Sequence, residues 1–168
     1  ETIAPFFCRG VLLDVAGYRG VDSLPAGEPI TADELKAVAK AEGVELPEGG
    51  AVLVRSGWAK HWNDPHTYLG HDTGVPGPDV SAGEWIAAAK PRVTGCDNMA
   101  YEHLAPGKGH SLLPVHRLLL VDSGIHIIEN LNMEQLAADK VYEFLFVCLP
   151  LKFTGGTGSP VRPVAVAF

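Results

Sequence analysis

Apolar residues along this chain fall into short runs, separated by glycine- and proline-rich breaks and interleaved with stretches of helical spacing. Gly10-Val11-Leu12-Leu13-Asp14-Val15 is rich in aliphatic residues and is stopped by Ala16-Gly17, which predicts a strand. Thr31-Ala32-Asp33-Glu34 has capping-box spacing. Leu35, Val38 and Ala39 then follow on one helical face, and Gly43 ends the helix. A turn at Gly49-Gly50 leads into a second strand over 51–55. Ser81-Ala82-Gly83-Glu84 repeats the capping-box spacing and opens a helix with Trp85, Ile86 and Ala89 on one side. A short strand is expected over 93–97, and residues 115–121 are apolar enough for a buried helix or strand. Another strand follows over 125–128, then a short helix after Asn132 that carries Leu136. The longest apolar run, 142–151, is expected at the centre of the sheet, and 161–168 closes the chain as a strand. Helices do not separate the strands evenly. The pattern therefore predicts an α/β fold with a mixed β-sheet and flanking helices, in a single domain over 1–168 without internal repeats.

Composition narrows the class. A chain of 168 residues with 46% hydrophobic and 20% charged residues builds a core without disulfides or a structural metal. The net charge of −7 argues against a nucleic-acid surface, which needs a clustered basic patch. Three cysteines, widely spaced and without a CxxC pair, point to reduced thiols and fit the cytoplasm; Cys148, inside an apolar run, reads as a core thiol. No apolar stretch reaches membrane-spanning length, and no signal peptide opens the chain. Glu1 stands first, followed by the apolar Ile3, Phe6 and Phe7, which are expected to pack rather than hang free.

Candidate chemistry lies in the loops. There are seven histidines: His61, His66, His71, His103, His110, His116 and His126. Neither HExxH nor GxSxG occurs, which sets aside a zincin and a nucleophile-elbow hydrolase. Gly155-Gly156-Thr157-Gly158-Ser159 lacks the lysine and following helix of a phosphate loop and reads as a tight turn. Residues 58–78 form a long loop dense in aromatics and histidines, a candidate pocket wall in which Trp58 and His71 are candidate substrate contacts. Asp97 ends a short strand, either as support for a ligand or as a helix cap. Glu129 ends a strand of large apolar residues, and His116 opens an apolar run. A carboxylate in such a place needs a cation, and a histidine with a carboxylate suits a divalent ion, although the two also pair with each other.

The block Pro114-Val115-His116-Arg117, with Gly124-Ile125 and Glu129-Asn130-Leu131, resembles the signature of the cyclase family, which includes kynurenine formamidases and isatin hydrolases. Four further blocks fall in the family's order: residues 9–14, residues 50–58, Gly95-Cys96-Asp97, and Leu149-Pro150-Leu151-Lys152 with residues 158–163. The resemblance implies a swivelling β/β/α-like fold and a metal-dependent hydrolase that cleaves an amide, formamide or lactam bond of a small molecule. It also implies one or two divalent metals, zinc or manganese, and a homo-oligomer. His116 and Glu129 match the family's C-terminal metal ligands. The family's principal motif, HxGTHxDxPxH, precedes the first block and does not occur here. The chain thus corresponds to a C-terminal portion, whose further ligands and proton carrier would come from an N-terminal fragment of the same protein. The alternative is a catalytically inactive binding or structural domain that keeps the fold without the metal motif.

Overall fold

The computed structural model describes residues 2–168, apart from the side chain of His110. Its main sheet is built from β1 (Phe6–Asp14), β3 (Ala51–Arg55), β5 (Val93–Cys96), β6 (His126–Ile128), β7 (Glu143–Cys148) and β8 (Val164–Val166). The spatial order is β6-β5-β3-β1-β7-β8. The first four strands in that order run parallel, whereas β7 pairs antiparallel with both β1 and β8. This is the expected mixed sheet. Its centre is shared by β1 and β3, however, and β7 lies one strand from the edge.

Alternation along the strands divides the core. Val11, Leu13, Val52, Val54 and Cys96 face one side, where helices α2 (Ala32–Glu42) and α4 (Val80–Ala88) cover them with Leu35, Val38 and Ile86. Leu12, Leu53, Val93, Ile128, Phe144 and Phe146 face the other side, against Leu131, Met133 and the short helix α6 (Glu134–Ala138). Each fully buried aliphatic side chain contributes roughly 1.5–3 kcal/mol. The N-terminal approach splits in the same way. Phe6 is buried on the ring of His126, while the pleat turns Phe7 outward to 68% exposure.

Local chemistry sets several element ends. The Thr31 hydroxyl accepts from the Glu34 amide at the start of α2, and Gly43 ends it in the left-handed conformation, as expected. Helix α4 starts earlier than its spacing predicts. Asp79 is its cap and accepts from the Ala82 amide, while the Ser81 hydroxyl donates to Asp79 and accepts from the Ala32 amide. A carboxylate two residues upstream outcompetes the serine. The expected stop after β1 is a short helix, α1 (Val15–Arg19), capped by Asp14 through the Gly17 amide at 2.9 Å.

Loop 58–78 is not structureless. It holds a 3-10 turn at Trp58–His61, the helix α3 (Pro65–Leu69), and β4 (Gly77–Pro78), which pairs with β2 (Pro29–Ile30). Trp58, Tyr68, Val75 and Leu104 form a small apolar cluster of their own. Residues 115–121 resolve as helix. α5 (Pro114–His116) passes directly into a π-helix over Arg117–Asp122, with Val115 and Leu119 packed into the core. Among the described residues, no helix is long and apolar enough to cross a membrane.

Candidate metal centre

The four parallel strands end at one edge of the sheet, which gathers the polar residues that close them: Asp14 and Arg55 at the ends of β1 and β3, then Asp97 and Glu129 just past β5 and β6. In open α/β sheets this edge is where ligands bind. One half of it is already paired. Arg55 is buried and donates to Asp14 Oδ1 at 2.7 Å and to the two carboxylate oxygens of Glu134 at 2.8 and 3.0 Å. Bidentate contact of this kind lets a guanidinium sit away from water.

The other half centres on His116. Pro114 opens α5, so the first amides of that helix have no partners within it. The carboxylate of Glu102, only 1% exposed, supplies them: Oε2 accepts from the Val115 amide at 3.0 Å and Oε1 from the His116 amide at 2.8 Å. The same Oε1 lies 2.8 Å from His116 Nδ1, and His116 Nε2 lies 3.2 Å from Glu129 Oε1. Glu102 first and Glu129 second raise the imidazole pKa to about 9, against the opposing effect of burial. At neutral pH the metal-free imidazolium therefore donates from both nitrogens.

The pair suits a divalent ion in chemistry and in spacing. Glu102 fixes the Nδ1 proton, which directs the Nε2 lone pair toward Glu129 whenever the Nε2 proton is displaced. The 3.2 Å separation of Nε2 and Oε1 is close to the roughly 3.4 Å edge of a tetrahedron with 2.0–2.2 Å bonds. Two donors are half a tetrahedral site. Among the described residues, no group of three or more His, Cys, Asp or Glu side chains could hold a metal ion.

His116 and Glu129 open onto a cavity of about 580 Å³, walled by Phe6, Leu120, His126 and the 150–161 segment. Trp58, His71 and Asp97 do not line it. Trp58 is 2% exposed and donates from Nε1 to the Tyr68 carbonyl at 3.0 Å, inside the apolar cluster of its loop. His71 lies exposed on the surface of that loop. Asp97 is fully buried and caps no helix. Its Oδ1 accepts from the Ser56 amide at 2.9 Å and the Ser56 hydroxyl at 2.6 Å, tying β3 to β5, and burial pushes its carboxyl pKa up. Glu102 was not singled out by its sequence context. The only signal there is a carboxylate one residue before His103, among Ala100, Tyr101 and Leu104, which sequence alone does not connect to residue 116.

Residues 1–103 match the family described as "Putative cyclase". The chain belongs to the cyclase family. The cyclase-family match ends before His116, but similarity to solved structures continues across the site. A crystal structure of a novel cyclase superposes with a TM-score of 0.83 at 32% identity, covering 96% of this chain and 54% of that one. An isatin hydrolase bound to the product analogue thioisatinate superposes with a TM-score of 0.77 at 29% identity, covering 95% of this chain and 60% of that one. The isatin hydrolase of Roseibium aggregatum is 31% identical over 140 residues, or 82% of this chain and 52% of that protein. The chain thus spans about half the length of the curated relative it matches. The fold is that of the cyclase family.

Proposed function

We propose that this chain carries part of the active site of a metal-dependent hydrolase that cleaves an amide, formamide or lactam bond of a small molecule. The observation that carries this reading is the His116 pair: Nδ1 held by buried Glu102, and Nε2 facing Glu129 at 3.2 Å beside an open cavity. Similarity to an isatin hydrolase supports the reaction class.

His116 Nε2 and Glu129 Oε1 would hold a divalent ion, zinc or manganese. When bound, such an ion supplies Lewis acidity, acidifying a water and polarising a carbonyl oxygen at neutral pH. Glu102 keeps a proton on Nδ1, so His116 presents the correct tautomer without reorganising. Phe6 and Leu120 give the cavity apolar surface for a small-molecule substrate. The remaining ligands would come from another segment of the gene product or from a second copy in a homo-oligomer. The rival reading is a binding or structural domain without activity. It is favoured by the two-ligand limit among the described residues.

Metal content by elemental analysis, with amide-hydrolysis rates, separates the two in the full gene product. Glu129→Gln and His116→Ala are expected to lose more than the roughly 10–100-fold in metal affinity that a supporting residue costs. Both should lose most turnover. Full metal occupancy with normal turnover in Glu129→Gln would remove Glu129 as a ligand, whereas a wild-type gene product with no bound metal and no amide hydrolysis would remove the hydrolase reading.

A further inference from the structure

Glu129 is followed by Asn130, whose φ of 58° is left-handed, a conformation that asparagine tolerates better than most residues. This kink turns the chain out of β6 and fixes the direction in which Glu129 leaves the sheet. Its backbone is tied down on both sides: the Asn130 amide donates to the Asn98 carbonyl at 2.8 Å, and the Leu131 amide to the Cys96 carbonyl at 3.1 Å. Its side chain is tied from a distant part of the chain. The Tyr68 hydroxyl lies 2.7 Å from Asn130 Oδ1 and 3.1 Å from the Asp97 carbonyl. One hydroxyl proton cannot serve both oxygens well. Donation to Asp97, with the Asn130 amide turned so that its NH₂ donates to the tyrosine oxygen, satisfies all three groups.

Tyr68 is itself immobilised. It is 6% exposed and its carbonyl accepts from Trp58 Nε1 at 3.0 Å. Its ring meets Trp62 edge-on at 5.3 Å. Helix α3, which carries it, is capped by Asp64 at one end and by Gly70 at the other. Trp58 and Trp62 thus both contact Tyr68, whose hydroxyl meets the residue beside Glu129.

We propose that Tyr68 is a positioning residue for the candidate metal ligand Glu129: its hydroxyl locks the left-handed kink at Asn130 and so holds the Glu129 carboxylate toward His116 Nε2. Through this contact, loop 58–78 sets ligand geometry without lining the cavity. The proposal rests on the metal-centre reading above.

The test uses the full gene product with cobalt(II) as the probe, reading the dissociation constant by chelator competition and the ligand-field spectrum of the bound ion. Tyr68→Phe removes only the hydroxyl. Asn130→Gly keeps the left-handed backbone accessible and removes the side chain that the hydroxyl meets. Each is expected to weaken cobalt binding by about 10-fold or more and to shift the spectrum, in the range seen for outer-shell partners. The double variant should be no worse than the weaker single, because both act through one contact. Wild-type affinity and spectrum in Tyr68→Phe, or fully additive losses in the double variant, would overturn the proposal. Glu129→Gln distinguishes the two levels. If it binds cobalt like the wild type, the metal-centre reading fails and takes this proposal with it. If it loses binding while Tyr68→Phe does not, only the positioning role fails.

Discussion

Oε1 of Glu102 sits 2.8 Å from His116 Nδ1 and also 2.8 Å from the His116 backbone amide, so one buried carboxylate oxygen orients both the helix start and the imidazole that helix carries. Backbone and side chain of His116 are therefore positioned by the same atom. Displacing that carboxylate moves the ring and the helix together.

This arrangement predicts a titration. Glu102→Gln keeps the size but replaces the carboxylate hydrogen-bond acceptor that contributes most to the raised His116 pKa, and removes its charge. In the metal-free protein, NMR should show His116 titrating near 9 in the wild type and nearer the ordinary value of about 6.5 in the variant. The sign follows from linkage. A raised imidazole pKa stabilises the fold fully below about 6.5, and that contribution is lost as pH rises through about 9. An unchanged His116 titration in Glu102→Gln would show that the carboxylate does not set it.

Glu42 predicts a pH dependence of the same sign at lower pH. Its Oε1 accepts from the Asp14 amide at 2.9 Å, but Oε2 is buried without a partner. Burial, with the nearby Asp14 charge adding to it, raises its pKa to about 7. The folded state thus favours the neutral acid. The stability it contributes is present below about 4.5 and is lost as pH rises through about 7. Glu42→Gln should flatten that decline, so the variant gains on the wild type between pH 5 and 8 in urea denaturation, an interval of roughly three pH units around the shifted value. Parallel curves for the two proteins would refute the assignment.

Arg55 bridges Asp14 and Glu134 with a side chain only 7% exposed. Arg55→Met leaves the buried Asp14 without a cation and should cost about 3–5 kcal/mol of unfolding free energy. Arg55→Lys keeps the charge but not the fork that reaches both carboxylates, and should cost less. Chemical denaturation at neutral pH checks both, and a loss below about 1 kcal/mol in Arg55→Met would contradict the bridging role.

Gly10 tests the packing of β1 against its antiparallel neighbour β7. A Cβ there would meet Phe144 Cε2 at 2.5 Å and Phe146 Cβ at 3.0 Å, and both rings are fully or nearly fully buried. Gly10→Ala should destabilise the protein by about 1–3 kcal/mol through overpacking. A midpoint of urea unfolding equal to that of the wild type would mean that the rings shift without cost.

Much of the architecture was legible without coordinates because it depends on neighbours within a few residues. The runs at 10–14, 51–55 and 93–96 specify strands as short, largely apolar stretches, because these strands are buried on both faces. Thr31 and Gly43 specify the ends of α2 through contacts three or four residues away. His116 and Glu129 stood out for a similar reason, as polar residues at the margins of apolar segments. The rest was decided by tertiary structure. Asp79 displaced Ser81 as the cap of α4 because its carboxylate reaches the Ala82 amide. The run 142–151 shortened to β7 and lies one strand from the edge, because strand order depends on how the chain crosses over and not on hydropathy. Glu102 reaches His116 across 14 residues, and Tyr68 reaches Asn130 across 62. No periodicity within a segment encodes such contacts. They exist only because parallel strands bring their ends to one edge, where side chains distant in sequence share the same buried space.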